Sequence, residues 1–261
     1  MTDSVQTPRT EPVRHRDDRL RRALFRFSQS KLSMIGAAIV AVVLFFAVFG
    51  TVLAPFPGHV AGAVDTANQF QAPSAAHLFG TNELGQDVLS LVMAGTTVSV
   101  LAGFGVVLIG SVIGTLVGAV AGFVGGWTDE GLMRLTDLTL TIPSLILAMA
   151  IAAALGPGFT NMVIAISLSW WPGYARLVRG EVLAAREEVY VTAARAIGAS
   201  PARILFRHIL PNVVSPIIVK MSLDMGFAIL TVAGLGFIGI GVRPPTPEWG
   251  TLLSLSRANM P

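Results

Sequence analysis

Hydrophobic residues in this chain come in long blocks separated by polar, punctuated segments. Five blocks are long and apolar enough to cross a bilayer as helices: residues 32–54, 98–124, 132–155, 159–178 and 213–242. The first is an uncharged run of 23 residues; at about 1.5 Å per residue, roughly 20 residues span a hydrocarbon core of about 30 Å. Pro143 predicts a kink in the third block, because an interior proline removes a backbone donor and crowds the preceding turn. Gly156-Pro157-Gly158 predicts a tight turn before the fourth. Trp170 and Trp171, towards the end of the fourth, suit a membrane–water interface.

The polar segments set an orientation. Residues 1–31 hold eight of the eighteen basic residues, and residues 179–211 hold Arg179, Arg186, Arg195, Arg203 and Arg207. Residues 55–94 carry three prolines with Asp65, Glu83 and Asp87, and neither lysine nor arginine. Cytoplasmic loops accumulate Lys and Arg. The expected organisation is therefore a cytoplasmic basic tail (1–31), a first span (32–54), an extracytoplasmic loop (55–94) and a membrane core (95–261). That core contains a cytoplasmic loop at 179–211 and an extracytoplasmic segment at 243–261. Of the basic residues, all but Lys220, Arg243 and Arg257 then fall on the cytoplasmic side. Leu20, Leu24 and Phe27 fit a short amphipathic helix over 19–27 on the membrane surface; a solvated basic tail is the alternative.

Composition agrees with a membrane protein and excludes most chemistry. Hydrophobic residues make up 53% and charged residues 13%, where a soluble domain carries about 25% charged residues. With no cysteine there is no disulfide or thiol chemistry. Only two lysines are present and no phosphate-binding loop. The four histidines, His15, His59, His77 and His208, are scattered and form no recognisable metal motif. Neither a catalytic residue, a metal site nor a nucleic-acid surface is expected.

Three features remain. Gly110, Gly114, Gly118 and Gly122 recur every fourth residue, a ridge of small residues that lets a second helix approach closely; the ridge alone does not say which chain supplies that helix. Lys220 and Asp224 are ionisable at membrane depth and share a helix face. They are either a self-neutralising structural pair or part of a translocation path. Residues 186–212 read as two short helices. Glu187 and Glu188 open the first and Gly198 ends it; Ser200 caps the second, Pro201 begins it and Pro211 stops it. So long a connector with apolar faces predicts a docking surface.

Within that loop, Tyr190-Val191-Thr192-Ala193-Ala194-Arg195-Ala196-Ile197-Gly198, continuing to His208-Ile209-Leu210-Pro211-Asn212, resembles the EAA signature of bacterial ABC-importer permeases. Four further stretches sharpen the match: Phe79-Gly80-Thr81-Asn82-Glu83-Leu84-Gly85-Gln86-Asp87, Gly125-Gly126-Trp127, Trp171-Pro172-Gly173-Tyr174-Ala175-Arg176 and Pro244-Pro245-Thr246-Pro247-Glu248-Trp249-Gly250. Over residues 30–261 the chain is similar to the dipeptide, oligopeptide and nickel branch, its C-type subunit in particular.

The resemblance implies an all-α integral membrane protein with the type I ABC importer permease (MetI-like) fold. Five transmembrane helices are visible, and the family's sixth, after the Pro-Pro-Thr-Pro segment, is missing from the sequence. It implies a multi-pass protein of the plasma or inner membrane with a cytoplasmic N-terminus. Its partners would be a second, B-type permease, one or two ABC ATPase subunits that bind ATP and Mg, and an extracytoplasmic solute-binding protein. The chain itself would have no cofactor. The expected solutes are di- and oligopeptides, with nickel or another small solute as the alternative. A self-sufficient channel or secondary transporter is the reading from a different class, and no inverted repeat supports it.

By position, ATPase coupling falls to Thr192, Ala193, Ala194, Arg195, Gly198, Ser200, Pro201, Arg203 and Pro211, and the extracytoplasmic motif to Gly80, Thr81, Gly85 and Asp87. Two positions depart from the family pattern: Thr192 stands where the signature usually has Glu, and Gln86 where the external motif usually has Arg.

Overall fold

The computed structural model describes Phe25 and residues 27–257. Among them the regular structure is helical, apart from one isolated antiparallel bridge between Thr81 and Asp87. The chain divides into two compact units, residues 1–45 and 46–261. The boundary falls within α1 (Lys31–Leu53), an apolar helix without an acidic first turn or a basic last turn. The basic tail and the helix expected over 19–27 lie, but for Phe25 and Phe27, outside the described residues.

The second unit holds α2 (Val88–Val124), α3 (Gly126–Thr141), α4 (Ser144–Leu155), α5 (Phe159–Arg186), α6 (Val189–Ala196), α7 (Pro201–Phe237) and α8 (Trp249–Arg257). At 37 residues each, α2 and α7 are about 55 Å long, well beyond the hydrocarbon thickness. The expected span at 98–124 therefore starts earlier, at Val88, where the Asp87 side chain accepts from the Ser90 N–H and caps the helix.

The glycine ridge faces α5 of this same chain. A methyl group added to Gly114 would lie 2.4 Å from the Trp171 carbonyl oxygen; on Gly118 it would lie 2.3 Å from that of Ala175, and on Gly122 2.9 Å from that of Arg179. Gly110 sits more loosely, with the Ser167 carbonyl oxygen 3.7 Å from such a methyl. Residue numbers rise together on the two helices, so α2 and α5 pack in parallel. Trp171, expected at the interface, is instead buried in this contact, because α5 runs on to Arg186.

α7 runs antiparallel to both. Its Val213 and Ile217 join a core with Ala119 of α2 and Val178 of α5, while its Ile229 meets Gly103 at the far end. A second core at that far end joins Val106 of α2, Ala148 and Ala152 of α4, Met162 and Ile166 of α5, and Val232 and Leu235 of α7.

Three corrections concern helix ends. The third expected span is two helices, α3 and α4, at 91°, a full break where a kink was expected. Ile142 is extended, as a residue before proline prefers, and Pro143 precedes α4. Pro211 does not stop its helix: α7 is continuous from Pro201 to Phe237. A π-helical segment, Ile204–Ile209, leads into it, with Leu210 N–H donating to the Leu205 carbonyl. The looser turn accommodates a residue that cannot donate and would crowd the carbonyl of a regular turn. Glu187 and Glu188 do not lie inside α6; Glu187 closes α5 and Glu188 precedes α6.

By length and composition, three described helices can cross a membrane, α1, α2 and α7, and a fourth span forms if α3 and α4 count as one broken crossing. α5 is long enough, but Asn161, Arg176 and its tryptophans leave it too polar to qualify by composition.

The ridge generates a test. Gly118→Val should destabilise the second unit by about 1–3 kcal/mol or more, since neither backbone can retreat. Gly110→Ala should be near neutral. Melting of the detergent-solubilised protein distinguishes the two.

Candidate functional site

The 186–212 region forms one surface built on a shared core. Val191 and Ala194 of α6 point inward, joining Ile204, Leu205 and Ile209 of the π segment and Ala119, Val178, Val182, Val213 and Ile217 from the ends of α2, α5 and α7. Gly198 turns the chain with φ +77°, a conformation that strains any residue with a Cβ. Its N–H donates to the Arg195 carbonyl at 3.0 Å, and that of Ala199 to Ala194 at 3.0 Å, closing the helix end. Ser200 Oγ accepts from the Arg203 N–H, and Pro201 takes the first helical position.

The outward face carries Thr192, Ala193, Arg195, Gly198, Arg203 and Pro211. It also carries Val189 and Ile197, 82% and 85% exposed. Of the nine residues assigned to coupling, Ala194 is the buried one.

Beside this surface three arginines of α5 reach across to neighbouring helices. Arg179 donates from Nε and Nη2 to the two carboxylate oxygens of Asp129 on α3, at 2.5 and 2.6 Å. Arg186 Nη1 donates to the carbonyls of Gly122 (3.0 Å) and Phe123 (3.3 Å), the last turn of α2. Arg176 pairs with Asp137 at 2.7 Å on a more exposed edge. In the sequence Arg179 and Arg186 counted only as charges that set sidedness, and Arg176 only as the end of the Trp171–Arg176 motif. No signal in the sequence around them pointed to Asp129 or Asp137 as partners.

Mid-helix on α7, Lys220 and Asp224 pair at 3.0 Å. The ammonium also sits 4.9 Å from the centre of the Tyr174 ring, a cation–π contact that ties α7 to α5.

At the opposite end of the bundle, residues 54–87 form an elbow. Gly80 and Gly85 both have φ +72°, and a methyl on Gly85 would overlap the Asp65 carbonyl. Thr81 Oγ1 accepts from the Gln71 N–H at 2.8 Å. Asp87 is buried, accepting from the N–H and Oγ of Ser90 at 2.8 and 2.7 Å. His77 Nδ1 lies 3.0 Å from the other Asp87 oxygen, and the Asp87 backbone N–H donates to His59 Nδ1 at 2.9 Å. Two histidines distant in sequence thus meet at one residue, His77 at its carboxylate and His59 at its backbone N–H. Burial opposes ionisation of Asp87, but the Ser90 and His77 contacts prevail and hold its carboxyl below the usual range. Gln86 Nε2 donates to the Ala63 carbonyl at 3.0 Å, so the residue at the departing position stitches the elbow from within.

In the sequence Glu248 figured only as a member of the Pro244–Gly250 motif, with no role of its own. It is fully buried and accepts from Ser99 Oγ (3.2 Å), Gly250 N–H (2.9 Å) and Thr251 N–H (3.0 Å). It joins the start of α8 to α2. A glutamate just before a short helix gives little warning of such burial.

The profile of the family described as "Binding-protein-dependent transport system inner membrane component" matches residues 114–258, the part of the chain that holds the two-helix surface and the core beneath it. The chain belongs to this family. A second profile, the N-terminal TM domain of oligopeptide transport permease C, matches residues 19–73. The permease is 41% identical over 235 residues to the glutathione transport system permease protein GsiD of Escherichia coli O6:K15:H31 (strain 536 / UPEC), covering 90% of this chain and 77% of the relative. The same figures hold for GsiD of Shigella boydii serotype 4 (strain Sb227). Against GsiD of Shigella dysenteriae serotype 1 (strain Sd197) the identity is 40% over the same coverage. The permease is a multi-pass inner-membrane transport subunit and is not itself an enzyme; its family implies an ATPase partner.

The elbow gives a pH test. Asp87 is held below its ordinary value of 3.8. Its contribution is therefore complete above that value and is lost as pH falls through the lower, folded value. Stability of the elbow to proteolysis should be flat from about pH 5 to 8 and drop below about pH 4. In Asp87→Asn that acid-linked drop should shrink.

Proposed function

We propose that this permease is the C-type half of the pathway of an ATP-driven importer of small peptides, with glutathione-like tripeptides among its solutes. The observation that carries the reading is the surface of α6 and the start of α7. Outside it exposes Val189 and Ile197 among Thr192, Arg195 and Arg203, and inside it is fused to the ends of α2, α5 and α7. A partner pressing on it moves three long helices together. The substrate class rests on the 41% identity to glutathione transport permeases; nickel or another small solute is the alternative within the same architecture.

In this reading residues 1–31 and 179–211 face the cytoplasm, and 55–94 and 243–261 face outward. The spans are α1, α2, the broken α3–α4 pair, α5 and α7. α5 crosses despite its polarity because α2, α4 and α7 shelter it. ATPase subunits dock on Thr192, Ala193, Arg195, Gly198, Ser200, Pro201, Arg203 and Pro211, all exposed, with the buried Ala194 shaping the surface beneath. Thr192 removes a carboxylate from that contact. A second, B-type permease completes the path, and a solute-binding protein delivers to the elbow end, whose fold Gly80, Thr81, Gly85 and Asp87, all buried, hold from within. Lys220 and Asp224 line the path.

The decisive experiment reconstitutes the permease with its ATPase and second permease in proteoliposomes, with a loaded binding protein outside. ATP-dependent uptake of glutathione or dipeptides supports the reading; uptake by this chain alone, without ATPase, would favour a channel or secondary transporter.

In the assembled complex Gly198→Val, which adds about 1–2 kcal/mol of strain in a left-handed conformation, should sever uptake from ATP hydrolysis while membrane insertion stays normal. Normal uptake by that variant would remove the coupling role. Asp224→Asn should change solute affinity or rate, and unchanged values would remove Asp224 from the path.

A further inference from the structure

α3 lies between core helices but is scarcely attached to them by apolar packing. Of its 16 residues only Thr136 is buried, and no α3 side chain belongs to either of the cores that lock α2, α4, α5, α6 and α7 together among the described residues. Each end is a joint. Gly125 and Gly126 have φ +73° and +57° at one, and the other is the 91° break at Ile142–Pro143. A helix between two joints, outside the cores, is positioned by its polar contacts.

Of its two ion pairs to α5, the Arg176–Asp137 pair is 55% and 61% exposed, and exposed pairs hold little. The Arg179–Asp129 pair is 35% and 17% exposed and is doubly hydrogen-bonded, the stronger geometry. Two turns further along α5, Arg186 grips the last carbonyls of α2, next to the glycine joint. A cation at a helix C-terminus also suits its dipole.

We infer that Arg179 and Asp129, with Arg186 anchoring the adjacent joint, are positioning residues that make α3 follow α5, so that movement imposed on the α6 surface reaches the broken span. The inference rests on α6 being the docking face. Without the tie, α5 moves with the cores while α3 pivots freely on its glycines.

The test uses the absence of cysteine in this chain, which allows spin labels at Glu130 on α3 and Ala184 on α5, both exposed. In the membrane-embedded complex the label distance should be narrowly distributed and should broaden in Asp129→Asn. An unchanged distribution overturns the tie, whatever the transport result. In the reconstituted importer, Asp129→Asn and Arg179→Gln should keep ATP hydrolysis but lower solute moved per ATP by roughly tenfold, within the usual range of coupling energies. Arg176→Gln should change it less than about twofold. The charge swap Asp129→Arg with Arg179→Asp should recover most of the loss, and Asp129→Glu should do so if the swap does not assemble. Full uptake per ATP in the single variants, or no recovery by either rescue, would overturn the inference. A wild-type complex with no ATPase response to loaded binding protein would instead defeat the docking reading, leaving the label distances to judge the tie.

Discussion

Everything in the second unit hangs on the approach of α5 to the glycine ridge of α2. With no side chain at Gly114 or Gly118, the carbonyls of Trp171 and Ala175 come closer than a Cβ would permit. In lipid, where expelling water contributes nothing between helices, such backbone proximity and its dispersion energy is the main source of association. The contact also dictates topology. Two consecutive long helices that pack in parallel must be joined by a segment that travels back along the bundle, and α3 with α4 makes that return. α7 fits antiparallel against both because its Ile229 and its Val213 meet opposite ends of α2.

The polar groups divide according to what they can find locally. At the elbow end, Asp87 and Glu248 are buried just before helices, where free N–H groups are available to them. Neither needs a lysine or arginine, and the segment around Asp87 contains none. At the α6 end, carboxylates meet arginines instead, and the contacts join different helices. Midway, Lys220 and Asp224 lie far from any helix end and satisfy each other across one turn. Capping thus fixes the elbow, and ion pairing links the moving parts.

Much of this was legible in the sequence, for physical reasons that are local. A glycine every fourth residue specifies a ridge, Gly198 specifies a left-handed turn, and Ser200 before Pro201 specifies a helix start; each depends on a few neighbouring residues. What could not be read depends on partners distant in sequence. Pro211 reads as a terminator until the π turn before it removes the conflict. Trp171 reads as interfacial until the glycine opposite turns out to be its neighbour. Asp129 and Arg179 are fifty positions apart, as the Asp129 hydrogen bonds record, and nothing near either names the other. The elbow's histidines were dismissed as scattered because His59, His77 and Asp87 converge only after the chain has folded back.

The π segment at Ile204–Ile209 also separates two design problems that a uniform helix would fuse. Successive residues of an α-helix are rotated by about 100°, so a side chain's direction at one end fixes every direction at the other. A wider turn in between resets that phase. The surface before it can therefore be tuned to whatever presses on it, while the face of α7 beyond it stays tuned to the bundle. Substitutions can accumulate on one side without redirecting the other, which suits a protein whose two ends answer to different molecules.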